Sequence, residues 1–252
     1  MCGVVGIVAK QSVNQEIYNA LTVLQHRGQD SSGIMTDDNG VLCQRKSNGL
    51  VADVFTNRHM LQLQGNIGIG HVRYPTAGSL SEVEAQPFYV NAPFGICLAH
   101  NGNLVNAEQL RNHLELIDRR HLNTESDTEA LLNLFAHELQ KNYTEDLTPK
   151  GIFQAVRGVF EKSSGGYAVV SMILNEGLVA FRDPNAIRPL VIGTRESNQG
   201  TDYMIASESV ALDVLGFTLL RDVLPGEAIY IDTDGNFYSH QCVQARSYTP
   251  CI

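Results

Sequence analysis

Cys2 directly follows Met1. If Met1 is removed, as a small second residue generally allows, Cys2 becomes the N-terminus and carries both a thiol and a free α-amine. The amine has a reference pKa of about 7.7–8.0 and the thiol about 8.5. An amine near neutrality can take the thiol proton, directly or through one water, so such a nucleophile has its base built in. By position alone a buried structural cysteine on a first strand is the commoner case. Cys2 rises above that because other residues supply what an amide-cleaving thiol needs.

A thiolate attacking an uncharged carboxamide creates a tetrahedral oxyanion, which needs fixed hydrogen-bond donors. Asn101-Gly102 offers an amide side chain and a backbone N–H that glycine leaves unobstructed. In isolation Asn-Gly reads as a hairpin turn. An amino-acid substrate also brings an α-carboxylate and an α-ammonium. The planar fork of Arg73 suits the first, and Asp127 at a helix start suits the second. Singly, these read as a surface arginine and a favourable first-turn acid.

The elements that must hold these residues follow from the pattern. Cys2–Ala9 reads as a buried strand, with Gly3 and Gly6 allowing close approach of another backbone. Ile17, Ala20, Leu21 and Leu24 recur at helical spacing after Asn14, a predicted N-cap, and Gly28 is the predicted stop. A hairpin is expected around Asp37–Gly40, and a single helix from Val51 to Leu63. The strand Asn66–Val72 is expected to deliver Arg73 into a loop ending at Gly78. Gly95–Ala99 is expected to run into a loop carrying His100, Asn101, Gly102 and Asn103. Helices are expected at Asn106–Leu116, Asp127–Leu139 and Thr148–Glu161, the second opened by a Ser126/Glu129 capping box. The rest reads mainly as strands, with hairpins at Asn175–Gly177 and Thr233–Gly235 and a short helix at Ser207–Leu215. Hairpins, then helices, then hairpins predict one α+β domain with two mostly antiparallel sheets and helices on their outer faces.

Composition narrows the function. The 252 residues carry a net charge of -9 without a basic run, which disfavours nucleic acid and anionic membranes as partners. The apolar runs are short, and the N-terminus lacks the pattern of a signal peptide, so a cytoplasmic location is expected. Five cysteines without C-x-x-C spacing argue against a disulfide framework or a zinc site. The eight histidines are scattered, and no metal is expected.

Four segments carry a family resemblance: Met1–Ile7, Leu24–Asp30, Gly70–Gly78 and Ala99–Asn103. Together they resemble the glutaminase domain of class II glutamine amidotransferases. Gln86–Val90, Phe181–Pro184 with Arg188–Leu190, and Ala206–Ser209 extend the likeness over nearly the whole chain. It is strongest to the branch that makes 5-phosphoribosylamine at the first committed step of purine synthesis. The resemblance implies the N-terminal-nucleophile hydrolase fold, a four-layer α/β/β/α sandwich. It implies that Cys2 is the nucleophile and that Asn101 and Gly102 form the oxyanion hole. It further implies that Arg73 and Asp127 hold the glutamine carboxylate and ammonium, and that Thr76, Arg27 and Gly28 line the pocket.

In that branch the second half is a phosphoribosyltransferase domain binding phosphoribosyl pyrophosphate, and the resemblance implies that the full-length enzyme is a homo-oligomer. No such segment is recognised here, so residues 1–252 are expected to be the amidotransferase domain alone, a fragment of a longer enzyme. Magnesium is expected only with the missing domain, and no cofactor in this chain. Two alternatives stand beside this reading. One is the glutaminase half of a sugar-phosphate aminating relative, in which Trp is expected where Tyr74 stands. The other is a catalytically silent regulatory or interaction domain, against which the intact Cys2, Arg73, Asn101 and Asp127 set argues.

Overall fold

Val5 and Ile7 point to one side of the first strand and Val4 and Val8 to the other, and all four are buried. An apolar layer on each face places that strand in the interior of a layered structure. The computed structural model describes residues 1–74, 82–142 and 147–246.

The strand is β1 (Gly3–Val8), followed by α1 (Asn14–Val23) and a 3₁₀ turn at Leu24–Arg27. Asn14 begins the helix rather than capping it; its side chain donates to the Met60 carbonyl at 2.7 Å. β2 (Ser31–Asp38) and β3 (Val41–Asn48) form the expected hairpin. The expected helix over 51–63 is two short ones, α2 (Val51–Val54) and α3 (Asn57–Gln62). The break falls where Thr56 takes an extended conformation and forms a capping box with His59, a local bonding option that competes with continuing the helix.

β4 (Ile67–Arg73) and β5 (Phe88–Val90) lead into β6 (Ile96–Leu104). α4 (Ala107–Leu116), α5 (Asp127–Asn142) and α6 (Pro149–Lys162) follow. The capping box expected at the start of α5 does not form. The Glu129 carboxylate instead takes the backbone N–H groups of Asn123 and Thr124 at 2.9 and 2.7 Å. β7 (Gly165–Ile173), β8 (Gly177–Arg182), β9 (Val191–Ser197), β10 (Gly200–Ala206), α7 (Ser209–Val214) and β11 (Thr218–Asp222) precede the closing hairpin of β12 (Glu227–Asp232) and β13 (Phe237–Gln241).

Two sheets result. The seven-stranded sheet runs β11-β9-β10-β1-β4-β2-β3, and the six-stranded sheet β13-β12-β8-β7-β6-β5. Their strand pairs are antiparallel. Between them lies a core of Val4, Val8, Ile69, Ala99, Val170, Ala180, Ile205 and neighbours. α1, α2 and α7 cover the outer face of the larger sheet through Ile17, Leu21, Val51, Val54 and Leu212. α4, α5 and α6 cover the smaller sheet through Leu110, Leu131, Phe135, Val156 and Phe160. Helix, sheet, sheet and helix make the α/β/β/α layering and the α+β class expected.

Candidate active site

The register of β1 and β4 brings the first two chemical groups together. Gly3 pairs with Val72, so Cys2 and Arg73 stand side by side at one end of the larger sheet. Arg73 is the last residue of β4, paired with Ser31, rather than a loop residue. Its position in the ladder fixes the guanidinium more firmly than a loop would.

Cys2 is partly buried, and its Sγ accepts the Tyr74 backbone N–H at 3.4 Å. Burial pushes the thiol pKa up; the Tyr74 amide, the positive N-terminus and Arg73 pull it the other way, and Asp127 adds to the rise. Arg27, itself buried, donates from Nε to the Cys2 carbonyl at 2.8 Å and from Nη1 to Glu208. The 3₁₀ turn therefore grips the backbone of Cys2. Gly28 does not stop α1 in a left-handed conformation. Its φ is -163°, ordinary extended backbone. Glycine is required because a Cβ there would lie 2.4 Å from the Arg73 carbonyl carbon. Arg27, Gly28, Cys2 and Arg73 thus form one packed corner.

The Arg73 guanidinium is buried between two carboxylates, Asp30 at 2.8 Å and Glu84 at 2.5 Å. Neither acid carries a signal in sequence: Asp30 lies 43 positions from its partner.

Asn101 and Gly102, the expected oxyanion pair, come from the smaller sheet, and the expectation of their placement needs correction. Asn101 and Gly102 lie inside β6, paired with Ala168 and Tyr167, not past its end. The close β6–β7 approach explains Gly102, since a Cβ there would meet the Gly166 carbonyl oxygen at 2.2 Å. Asn101 is buried, and its Nδ2 has no hydrogen-bond partner among the described residues. Leaving a buried donor unmade costs about 1–3 kcal/mol, so this one is available to a group that arrives.

Asp127 opens α5 as expected. Its Oδ2 accepts the Leu104 N–H at 3.0 Å and lies 3.7 Å from His100 Nε2. Thr128 Oγ1, one residue on, is 2.7 Å from His100 Nδ1. His100 is fully enclosed and its pKa is lowered by burial, with Asp127 opposing. Its backbone N–H donates to Gln86 Oε1 at 2.8 Å, and His71 Nε2 donates to its carbonyl at 3.2 Å. That last bond ties β4 to β6 between the layers. His100 lies within the Ala99–Asn103 segment, and no local pattern in the sequence pairs it with its neighbour on α5. Thr76 lies outside the described residues.

A glutamine amidotransferase domain model matches residues 71–214. The chain belongs to the glutamine amidotransferase domain family. Amidophosphoribosyltransferases from Pseudomonas aeruginosa and Escherichia coli are 62% and 59% identical, matching 100% of this chain and 50% of each relative. Among solved structures, the glutamine phosphoribosylpyrophosphate amidotransferase of B. subtilis, complexed with ADP and GMP, superposes with a TM-score of 0.81. It is 36% identical over 96% of this chain and 49% of that one. A glutamine aminotransferase class-II domain protein from Silicibacter pomeroyi, 15% identical at a TM-score of 0.57, shares the fold over 96% of this chain and 100% of that one.

This glutamine amidotransferase domain therefore spans about half the length of the curated relatives it matches. Its two antiparallel sheets and covering helices agree with the N-terminal-nucleophile hydrolase fold expected from the resemblance. No helix among the described residues is long and apolar enough to cross a membrane.

Proposed function

We propose that this domain hydrolyses glutamine to glutamate and ammonia through a Cys2 thioester. With Met1 removed, the Cys2 amine takes the thiol proton and the thiolate attacks the side-chain amide carbon. The oxyanion is held by Asn101 Nδ2 and the Gly102 N–H. The ammonium returns the proton to the leaving nitrogen as the carbon–nitrogen bond breaks, giving ammonia and a γ-glutamyl thioester. The same amine then accepts a proton from water, which attacks the thioester and releases glutamate and the thiol. Arg73 takes the substrate α-carboxylate, displacing a resident acid, and Asp127 takes the α-ammonium; Thr76, Arg27 and Gly28 complete the pocket.

The observation that carries this reading is the orphaned, buried Asn101 Nδ2 on β6, a strand that packs against β1. Such a donor is costly in the resting protein and is repaid where negative charge develops. In a longer protein like the relatives, the ammonia would aminate phosphoribosyl pyrophosphate to 5-phosphoribosylamine at a separate transferase domain. That domain would bring any magnesium, and this one needs no cofactor. A cytoplasmic, homo-oligomeric full-length enzyme is part of the proposal. Glutamate release from glutamine, with Cys2→Ala as the blank, tests it; no difference between the two proteins refutes it.

A further inference from the structure

The segment Gln86–Val90 carries part of the family likeness but has no part in the reaction above. Its first residue is seated on the larger sheet. The Lys46 ammonium, on β3, donates to the Ala85 carbonyl at 2.6 Å and to the Pro87 carbonyl at 3.1 Å, and lies 4.6 Å from the centre of the Phe88 ring. Between those two carbonyls, that of Gln86 rests on Gly33 of β2, the cross-strand partner of Lys46. A Cβ at Gly33 would lie 2.0 Å from the Gln86 oxygen, so glycine is what lets the segment settle there. Three consecutive carbonyls are thus placed by the β2–β3 hairpin.

The Gln86 side chain reaches the other sheet. It is buried, and its Oε1 accepts the His100 N–H at 2.8 Å. β5 pairs with β6 only over Phe88–Val90, so its ladder ends opposite Leu98. At His100 the Gln86 amide therefore stands in for the carbonyl that a longer β5 would have offered. N–H groups two residues apart on a strand point the same way, so those of His100, Gly102 and Leu104 share this edge. The outer two are taken by side chains, His100 by Gln86 and Leu104 by Asp127. Gly102, the expected oxyanion donor, lies between them.

We propose that Gln86, anchored by Lys46, is a positioning residue for the reaction: it fixes the Asn101–Gly102 stretch of the smaller sheet against the larger sheet that carries Cys2. This rests on the glutaminase reading of the site. Nucleophile and oxyanion donors come from different sheets, and a donor acts only within about 2.7–3.1 Å of the developing charge. The layer between the sheets is apolar, with Ile69 and Ala99 in it. Apolar contact is non-directional and sets spacing less sharply than a hydrogen bond does. The tie through Gln86 is a directional bond across that layer. His71 on β4 supplies a second one, to the His100 carbonyl. Both backbone groups of the residue before Asn101 are thus held from the larger sheet, one by His71 directly and one through Gln86 and Lys46.

The test uses the Met1-processed chain with Gln86→Leu and Lys46→Met, following kcat and KM for glutamine hydrolysis. Gln86→Leu is expected to lower kcat about 10- to 100-fold while KM stays within about threefold, because misplaced donors weaken the transition state more than substrate binding. Lys46→Met should act in the same direction, and the double variant should lose no more than Gln86→Leu alone, since both act through one segment. In an Asn101→Ala background Gln86→Leu should cost less than about threefold further. Losses that multiply in full with Asn101→Ala, or a wild-type kcat in Gln86→Leu, overturn the proposal. A second readout needs no activity. In ¹⁵N-resolved NMR spectra Gln86→Leu should move the Asn101 side-chain amide and Gly102 N–H signals and leave those of β13 in place. Unmoved Asn101 and Gly102 signals also overturn it, even if stability falls. If wild type hydrolyses no glutamine, the glutaminase reading fails while the NMR shifts still decide whether Gln86 places the two donors.

Discussion

The Glu84 carboxylate sits 2.5 Å from Arg73 Nη2, at the end of the strand that stands beside Cys2. The same guanidinium also meets Asp30, at 2.8 Å. Both ion pairs are largely out of water, so breaking either without a replacement is costly. A glutamine α-carboxylate can replace one of them without leaving the arginine unpaired. Glu84 is the candidate to yield, because it reaches Arg73 from a short turn, whereas Asp30 is tied by its backbone N–H to the Arg73 carbonyl at 3.0 Å.

Glu84→Gln removes the charged competitor and leaves Asp30 in place. KM for glutamine is therefore expected to fall by about three- to tenfold, roughly 0.7–1.4 kcal/mol, with kcat less affected. Arg73→Ala should act in the opposite sense, raising KM and lowering kcat/KM. Steady-state kinetics of glutamate release measure both. A rise in KM for Glu84→Gln would mean that Glu84 orients Arg73 rather than occupying the substrate's place.

Asn101→Ala removes the orphaned donor. The expected loss in kcat is about 10²–10³, or roughly 2.7–4 kcal/mol, as for one donor to a developing oxyanion. Because Asn101 Nδ2 has no resident partner among the described residues, removing it should cost little stability. Thermal unfolding run beside the kinetics separates the two effects. Wild-type turnover in this variant would remove Asn101 from the mechanism.

These two predictions draw on residues that were unequally legible in sequence. β1 and Asp127 at a helix start could be read directly, because an apolar run and helix spacing survive without tertiary knowledge. Gly3 and Gly6, by contrast, face the Val72 and Leu178 side chains rather than the backbone expected there. Asn101-Gly102 was misplaced beyond a strand. A polar Asn-Gly run reads as a turn, and only the β7 backbone, too close to admit a Cβ at Gly102, explains why it lies within one. Gly28 failed for the same reason, since its close neighbour is Arg73, far along the chain. β11 went unread because its short run, Thr218–Asp222, is mostly exposed. The acids on Arg73 are long-range pairings that no local pattern carries.

His71 makes stability depend on pH. It is fully buried and its pKa is pushed down to about 3, by burial first and by the neighbouring His100. A histidine depressed in the fold is neutral there and takes a proton in the unfolded chain below about pH 6.5. Its contribution is present above that value and is lost as pH falls toward about 3, at about 1.4 kcal/mol per pH unit. Urea midpoints across this window should fall with pH, and His71→Gln should flatten the slope. An unchanged slope would show that His71 is not the group responsible.

Retaining Met1 should abolish hydrolysis. The Cys2 nitrogen is then an amide without a basic lone pair, and the Met1 side chain lies between Arg27 and Arg188, next to Cys2. Intact-mass measurement sorts preparations by processing, and activity should follow the processed fraction linearly. Full activity from a wholly unprocessed preparation would exclude the amine as base.

The last prediction concerns what this chain does by itself. Cys2, Arg73, Asn101, Gly102 and Asp127 lie on β1, β4, β6 and α5, within the four layers described. On the proposed reading they are expected to bind glutamine, form a thioester and release ammonia, with water completing the cycle. No group of three or more His, Cys, Asp or Glu side chains among the described residues could hold the metal ion that accompanies a pyrophosphate. Glutamine hydrolysis by the 252-residue chain should therefore be indifferent to phosphoribosyl pyrophosphate and magnesium, and should yield free ammonia rather than phosphoribosylamine. In the longer relatives, substrate at a transferase site could couple to closure over glutamine, and such coupling needs both sites in one molecule. Glutamate production is measured with and without phosphoribosyl pyrophosphate and magnesium, against Cys2→Ala. Marked stimulation would place a phosphoribosyl pyrophosphate site on this chain and end its description as a self-contained glutaminase half.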